Sequence, residues 1–367
     1  MPSEDDTHGR SILPQGGAGG RGGERGMKKI LETMYILTPD SYLYHRNENI
    51  CVSIAGQEKA SVPAKDVDSI VFFGKNTLST SLLSFCGERE ITLTFLDPNG
   101  RCYGTASGAL TGNVLLRKRQ YDSLHDETFC RSVVSSILYG KLLNSKNLLL
   151  RHGRTEKSAV RAGKLYHGGE QMAEYARKLN ECADVDSMRG VEGAAGAAYF
   201  ACFDQMLSES GAFRFGVRSR RPPANEVNAV LSFLYVQMTH DMRSALEGVG
   251  LDPYAGYLHT LRPGRPSLAL DLIEELRSPL CDRLTLTLFN RGQLSKQDFQ
   301  DEGEGVYLNE KGRRRVLQAW RERKHEEIRH PFLDEKLEIG MIAHVQAMLL
   351  ARVLRGDLDR YPPFVWR

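Results

Sequence analysis

Two kinds of hydrophobic patterning divide the chain. From about residue 30 to residue 105 the apolar positions fall in short runs of β type: Met34 to Leu37, Tyr42 to Tyr44, Ile50 to Ile54, Ile70 to Phe73 and Ile91 to Leu96. Branched and aromatic side chains dominate them, and each has the length of a strand. Turn residues separate the runs. Asp97-Pro98-Asn99-Gly100 ahead of Arg101-Cys102-Tyr103 is hairpin chemistry, because Asn and Gly tolerate positive φ. One helix is predicted among the strands, over Thr77 to Cys86.

After Gly108 the apolar repeat lengthens to that of a helix. Val133, Ile137, Leu142 and Leu143 share one face, as do Ala195, Tyr199, Cys202 and Met206 in a later segment. A third helix is predicted from Asn225, just after Pro222-Pro223, through Val227, Val230, Leu231, Leu234 and Met238 to a glycine stop at Gly248 or Gly250. The expected fold is therefore α+β, with a small β-rich N-terminal domain over 27–108 and a larger all-α domain over 109–367. Residues 1–26, with GGAGGRGGERG, hold few large apolar side chains and cannot offset the entropy of ordering. They are expected to be a disordered leader, and Met27-Lys28-Lys29 reads as the natural start.

Composition changes this picture little. A chain of 367 residues with 41% hydrophobic and 26% charged side chains is an ordinary globular protein, long enough for two domains. The formal charge of +3 permits a polyanionic partner without demanding one. Seven cysteines without paired spacing argue against a disulfide framework or a zinc knuckle and for a reducing cytoplasm. The sequence contains no apolar run of the roughly 18 residues a membrane span needs, and residues 1–26 lack the apolar core of a secretory signal.

The candidate chemistry lies in the helical part, on Glu192 in RGVEGAAGAAYF, His259 in DPYAGYLH and Glu274 in SLALDLIEELR. Two carboxylates and an imidazole suit Mg or Mn, and the segments contribute no CxxC or HxxxH pair that would favour zinc. Each residue also has a plain structural reading. Glu192 suits a helix N-terminus, and a lone histidine is more often structural. Asp271, Glu274 and Glu275, at i, i+3 and i+4, form a repelling face that Arg277 and solvent could balance. The glycines after Glu192 suggest close approach of a backbone or a ligand, since glycine costs a helix roughly 1 kcal/mol relative to alanine. Arg189, Arg262, Arg265 and Arg277 surround the segments with guanidinium groups that match phosphate oxygens. Arg313 to Arg315 reads equally well as a solvated face.

RGVEGAAGAAYF, RPPANEVNAVLSFLY, GYLHTLRPGRPSLALDLIEELR and the ending LRGDLDRYPPFVWR together resemble the CRISPR-associated Cas-one integrase of the adaptation module, with an ending like that of subtype I-C. The resemblance runs from about Met27 to Arg367 and leaves the leader without a counterpart. It implies a small N-terminal β-domain, a helical catalytic domain, a homodimer, and assembly with the small ferredoxin-like partner called Cas-two. In that family a Glu of the RGxEG helix, a His of the G-x-LH element and an acid of the next helix ligate the metal, matched here by Glu192, His259 and Glu274. The third is often Asp in the family, and Asp271 lies one turn earlier as an assisting acid. Asn228 and Tyr235 match family positions but fit packing as well. The expected activity is that of a Mg- or Mn-dependent DNA endonuclease and integrase acting on double-stranded or branched DNA. The alternatives are a metal-free DNA-binding scaffold and a metallohydrolase of small phosphoesters.

Overall fold

The computed structural model describes residues 32–36, 38–89, 91–96, 102–106, 108, 114–209 and 211–366. The expected leader over 1–26 and the turn at Asp97 to Arg101 lie outside them. In chain order the first elements are β1 (Glu32–Ile36), β2 (Tyr42–Arg46), β3 (Asn49–Ile54), β4 (Gln57–Pro63), β5 (Val67–Phe73), β6 (Thr77–Leu78), α1 (Thr80–Glu88), β7 (Thr92–Leu96) and β8 (Cys102–Ala106). They build two sheets, ordered β1-β5-β7-β8 and β4-β3-β2-β6. In the first, β5 lies parallel to both β1 and β7, and β8 returns antiparallel to β7.

Strand β5 explains how this unit joins the rest. Its alternation sends Ile70 and Phe72 into a core shared with Leu43, Ile50, Leu82 and Leu93, and sends Val71 and Phe73 into the main helical core. A strand covered on both faces reads as the continuous apolar run IVFF rather than as alternation. Phe73 stacks on Phe233 with ring centroids 6.0 Å apart, which fixes the sheet to the helices. Two expectations shift. Helix α1 starts at Thr80, not Thr77, because Ser79 accepts the Leu82 N–H at 3.1 Å as an N-cap while Thr77 and Leu78 pair with β2. Strand β4, with Gln57 to Ser61 exposed, carries no apolar signal and goes unpredicted.

The remainder comprises α2 (Val114–Ser123), α3 (Glu127–Thr155), α4 (Ala159–Lys178), α5 (Val185–Ala201), α6 (Phe203–Met206), α7 (Glu226–Gly248), α8 (Ser267–Leu276), α9 (Arg283–Asn290), β9 (Phe299–Glu302), β10 (Gly305–Leu308), α10 (Glu310–Lys324), β11 (Glu327–Arg329), β12 (Lys336–Glu338) and α11 (Ile342–Arg355). The expected all-α character is corrected by the antiparallel pairs β9–β10 and β11–β12, whose strands of four and three residues are too short to show a period. The helix expected to run on to Met206 breaks at Cys202 into α5 and α6. Helix α7 begins as expected, with Asn225 accepting the Asn228 N–H at 2.9 Å. Among the described residues no helix is long and apolar enough to cross a membrane.

Helix α3 is the central column. Asn144 donates to the backbone oxygens of Glu275 and Phe364, each at 2.7 Å, and Asn147 donates to that of Trp366, so the C-terminal segment is laced onto α3 beside α8. Gly140 is obligatory here, because a Cβ would lie 2.9 Å from Pro363 and 3.0 Å from a Glu275 oxygen. Glu275 is fully buried and accepts from Tyr361 Oη at 2.6 Å, Gln346 Nε2 at 2.7 Å and the Phe364 N–H at 3.0 Å.

Burial without a countercharge outweighs these three donors and pushes the Glu275 carboxyl up to about 8. The folded protein therefore holds a proton here that the unfolded chain releases above its ordinary value, so this residue's contribution to stability falls as pH rises from about 5 to 8 and then levels off. Melting temperature measured against pH should show that decline in the wild type and a flatter profile in Glu275→Gln. Identical profiles would mean that Glu275 is ionised throughout.

Candidate active site

Three helices and one loop bring the expected residues together. A reciprocal Asp184–Ser187 capping box starts α5 and sets the phase that turns Glu192 toward α3. The loop from Leu251 to Pro266 carries His259 and is held by Asp271 of α8. One Asp271 oxygen accepts the N–H groups of Tyr257 at 2.6 Å and Leu258 at 2.9 Å, and the other accepts the His259 N–H at 2.9 Å and faces His259 Nδ1 at 2.7 Å. Gly256 makes the approach possible, since a Cβ would sit 2.6 Å from the Leu268 nitrogen and 2.7 Å from Asp271 Oδ2.

With both oxygens engaged by donors of this loop, Asp271 is a positioning residue. Its bond to Nδ1 leaves Nε2 of the imidazole facing Glu274 Oε1 at 3.8 Å. Glu274, only 2% exposed at its side chain, pairs with Arg277 Nη1 at 2.9 Å, and its Oε2 lies 2.7 Å from Lys141 Nζ. Burial works to raise this carboxyl, but Arg277 first and Lys141 next outweigh it and hold Glu274 well below the usual carboxylate range. Lys141, from α3, also contacts Glu192 Oε1, so one ammonium bridges the two carboxylates. Each Glu274 oxygen thus has its own cation, Arg277 on Oε1 and Lys141 on Oε2.

Asp271, Glu274 and Glu275 thus form no exposed repelling face. All three are buried, and each points to a different partner: the His259 loop, the Lys141–Arg277 cations and the C-terminal segment.

Arg277, expected among the phosphate binders, is instead spent on Glu274 and lies 4.8 Å over the Tyr235 ring. Arg189 splits between Asp186 and the Leu258 oxygen, bonding the latter from Nε at 2.5 Å. Arg262 is exposed and Arg265 half-buried. The run Arg313 to Arg315 is a structural face, engaging the Leu308 oxygen, Glu310 and Asp298. Asn228 is buried and pins the loop at Val217 to Ser219, accepting from Arg218 and donating to the Val217 oxygen.

A cleft of about 530 Å³ opens beside Lys141 and Glu192 and continues past Arg218, Tyr235 and Arg277 to Asp282. Nothing lies within 4 Å of a Cβ built on Gly193, so the small residues after Glu192 face this opening rather than another backbone. Deep in the cleft Asp282 accepts from Tyr235 Oη at 2.6 Å and Tyr199 Oη at 2.8 Å, and burial lifts its carboxyl to about 6 against the pull of those donors and of Arg218 and Arg277.

Among the described residues no three His, Cys, Asp or Glu side chains stand as a ready cage for a metal ion. The donor set nevertheless fits a hard divalent cation. It offers two carboxylates that share one cationic partner, Lys141, and an imidazole Nε2 that lies 3.8 Å from the other oxygen of Glu274, which are the hard oxygen and nitrogen donors such an ion takes.

A family model described as CRISPR-associated protein Cas1 matches residues 34–322. The chain is 46% identical to a CRISPR-associated endonuclease Cas1 of Rhodospirillum rubrum and 44% identical to one of Chlorobaculum tepidum, in each case over 93% of this chain and all of the relative. A solved Cas1 protein from Thermotoga maritima shares the fold, with a TM-score of 0.76 at 24% identity over 89% of this chain and 97% of that one. The chain belongs to the Cas1 family. It is an enzyme of the endonuclease and integrase class, as its sequence predicts.

Proposed function

We propose that Glu192, His259 and Glu274 hold a Mg or Mn ion and that the protein uses this site to join the 3′ ends of short foreign DNA duplexes into a CRISPR array. The observation that supports the reading is that Glu192 of α5 and Glu274 of α8 share Lys141 as a cationic partner while His259 Nε2 faces the other oxygen of Glu274. A bound divalent ion supplies a lowered pKa for an attacking 3′-hydroxyl or water and charge neutralisation at the leaving oxygen.

The chain's own residues do the rest. Asp271 keeps the imidazole Nδ1 occupied and Nε2 aimed inward. Arg277 keeps Glu274 ionised. Arg262 and Arg265, with Arg189 and the exposed Arg220 that lines the cleft, face the phosphate backbone of double-stranded or branched DNA. The ending LRGDLDRYPPFVWR supports a subtype I-C-like member. A homodimer in the cytoplasm, assembled with the small ferredoxin-like Cas-two partner, completes the proposal. Within each protomer the proposed division is a β-rich unit over 27–108 and a catalytic unit over 109–367.

The test is joining of a labelled protospacer-like duplex to a repeat-bearing DNA. Joining should vanish in EDTA and return with Mn or Mg. Joining that persists in EDTA would remove the metal, and DNA binding without joining under any metal would leave a scaffold.

A further inference from the structure

Lys141 occupies an unusual position. Its side chain is 14% exposed, and its ammonium touches Glu192 of α5 and Glu274 of α8 at once, on the Glu274 oxygen that Arg277 and His259 leave to it. Charge bookkeeping makes the arrangement informative. Lys141 and Arg277 bring two positive charges, Glu192 and Glu274 bring two negative ones, and Asp271 behind the imidazole brings a third negative charge. Adding a divalent ion with both cations in place would leave the site net positive and partly desolvated, which is unfavourable, and the departure of one cation would bring it to neutrality. One resident cation has to leave.

Geometry selects which. Arg277 is fixed by its pairing with Glu274 and by the Tyr235 ring. Lys141 has a flexible four-carbon stem, makes no contact with an aromatic ring among the described residues, and lines the open cleft of about 530 Å³ beside the half-exposed Glu192. The lysine is therefore the exchangeable group.

We propose that Lys141 is an internal stand-in for the metal: it holds Glu192 and Glu274 together in the metal-free protein and swings into the cleft when a divalent ion enters. The inference rests on the metal-site reading above. It makes Lys141 a positioning residue whose removal strengthens metal binding, the opposite of what a merely supporting side chain would do.

Manganese chloride titrated calorimetrically into the full-length protein in the absence of DNA tests it, with melting temperature in EDTA and in Mn as a second measure. Lys141→Met should bind Mn about tenfold more tightly than the wild type, because a competing ion pair worth on the order of 1 kcal/mol is gone. Its melting temperature should fall in EDTA and recover in Mn by more than the wild type gains. Lys141→Arg, which keeps the charge on a bulkier head, should bind no more tightly than the wild type. If Lys141→Met does not fold, Lys141→Gln takes its place with the same expectation. Unchanged or weaker Mn binding by a folded, charge-removed variant overturns the stand-in role while leaving the metal site intact. Absence of Mn binding by both the wild type and these variants overturns the site itself.

Discussion

Glu274→Gln is expected to lower the single-turnover rate of strand joining at least about a thousandfold while leaving duplex affinity within a few-fold of the wild type. The substitution keeps the shape of a side chain that is 2% exposed and removes only its charge. That charge is what Arg277 and Lys141 are arranged to preserve, and it would balance the entering cation at the moment negative charge grows on the leaving oxygen. A thousandfold loss corresponds to about 4 kcal/mol of transition-state stabilisation, the scale expected for one ligand of a divalent ion. His259→Ala should lose a similar amount. The double variant should lose little more than either single one, because the groups act as a unit. Fluorescence anisotropy supplies the binding control, since the phosphate contacts proposed for Arg262 and Arg265 are separate from these acids. A Glu274→Gln protein that joins within tenfold of the wild-type rate would take Glu274 out of the chemistry.

Much of this architecture is legible in the sequence, and the failures have physical causes. Strands β1, β2, β3, β5 and β7 announce themselves because their apolar runs feed a core on one or both faces, and β8 only through the turn residues before it. Strand β4 does not, because hydrogen bonding to β3 holds it while most of its side chains face water. Glu192, His259 and Glu274 stand out as polar residues in apolar helical contexts, and their sequence surroundings resemble a known family. Lys141 does not stand out. It lies 51 residues before Glu192 in sequence, in a 29-residue helix whose buried positions include Asn144, Ser145 and two glycines, so no amphipathic face separates a site lysine from a surface one. Glu275 is hidden for a related reason. One helical step of about 100° separates it from Glu274, and its partners Gln346 and Tyr361 arrive from 71 and 86 residues away. Local periodicity carries no information about such contacts. Arg277 illustrates the converse: its residue type fits phosphate, and only the fold reveals that a neighbouring carboxylate claims it.

Asp271→Ala should be the most destabilising single change near the site, by about 3 to 5 kcal/mol, because four donors converge on a carboxylate with no exposed surface. In a protein of this size that amounts to a drop of several degrees or more in melting temperature. Asp271→Asn separates anchoring from chemistry. If the new amide nitrogen replaces Oδ2, it meets the N–H groups of Tyr257 and Leu258, and the loop is pushed away. If it replaces Oδ1, it loses the His259 N–H as a donor and donates to His259 Nδ1, which forces the neutral ring to carry its proton on Nε2 and blinds the nitrogen that faces Glu274. Either placement should cut joining a hundredfold or more, and the second does so with part of the stability retained. Two-dimensional NMR of the imidazole nitrogens reports the tautomer directly, so loss of joining with an unchanged tautomer and an unchanged melting temperature would show that Asp271 acts on neither the loop nor the ring.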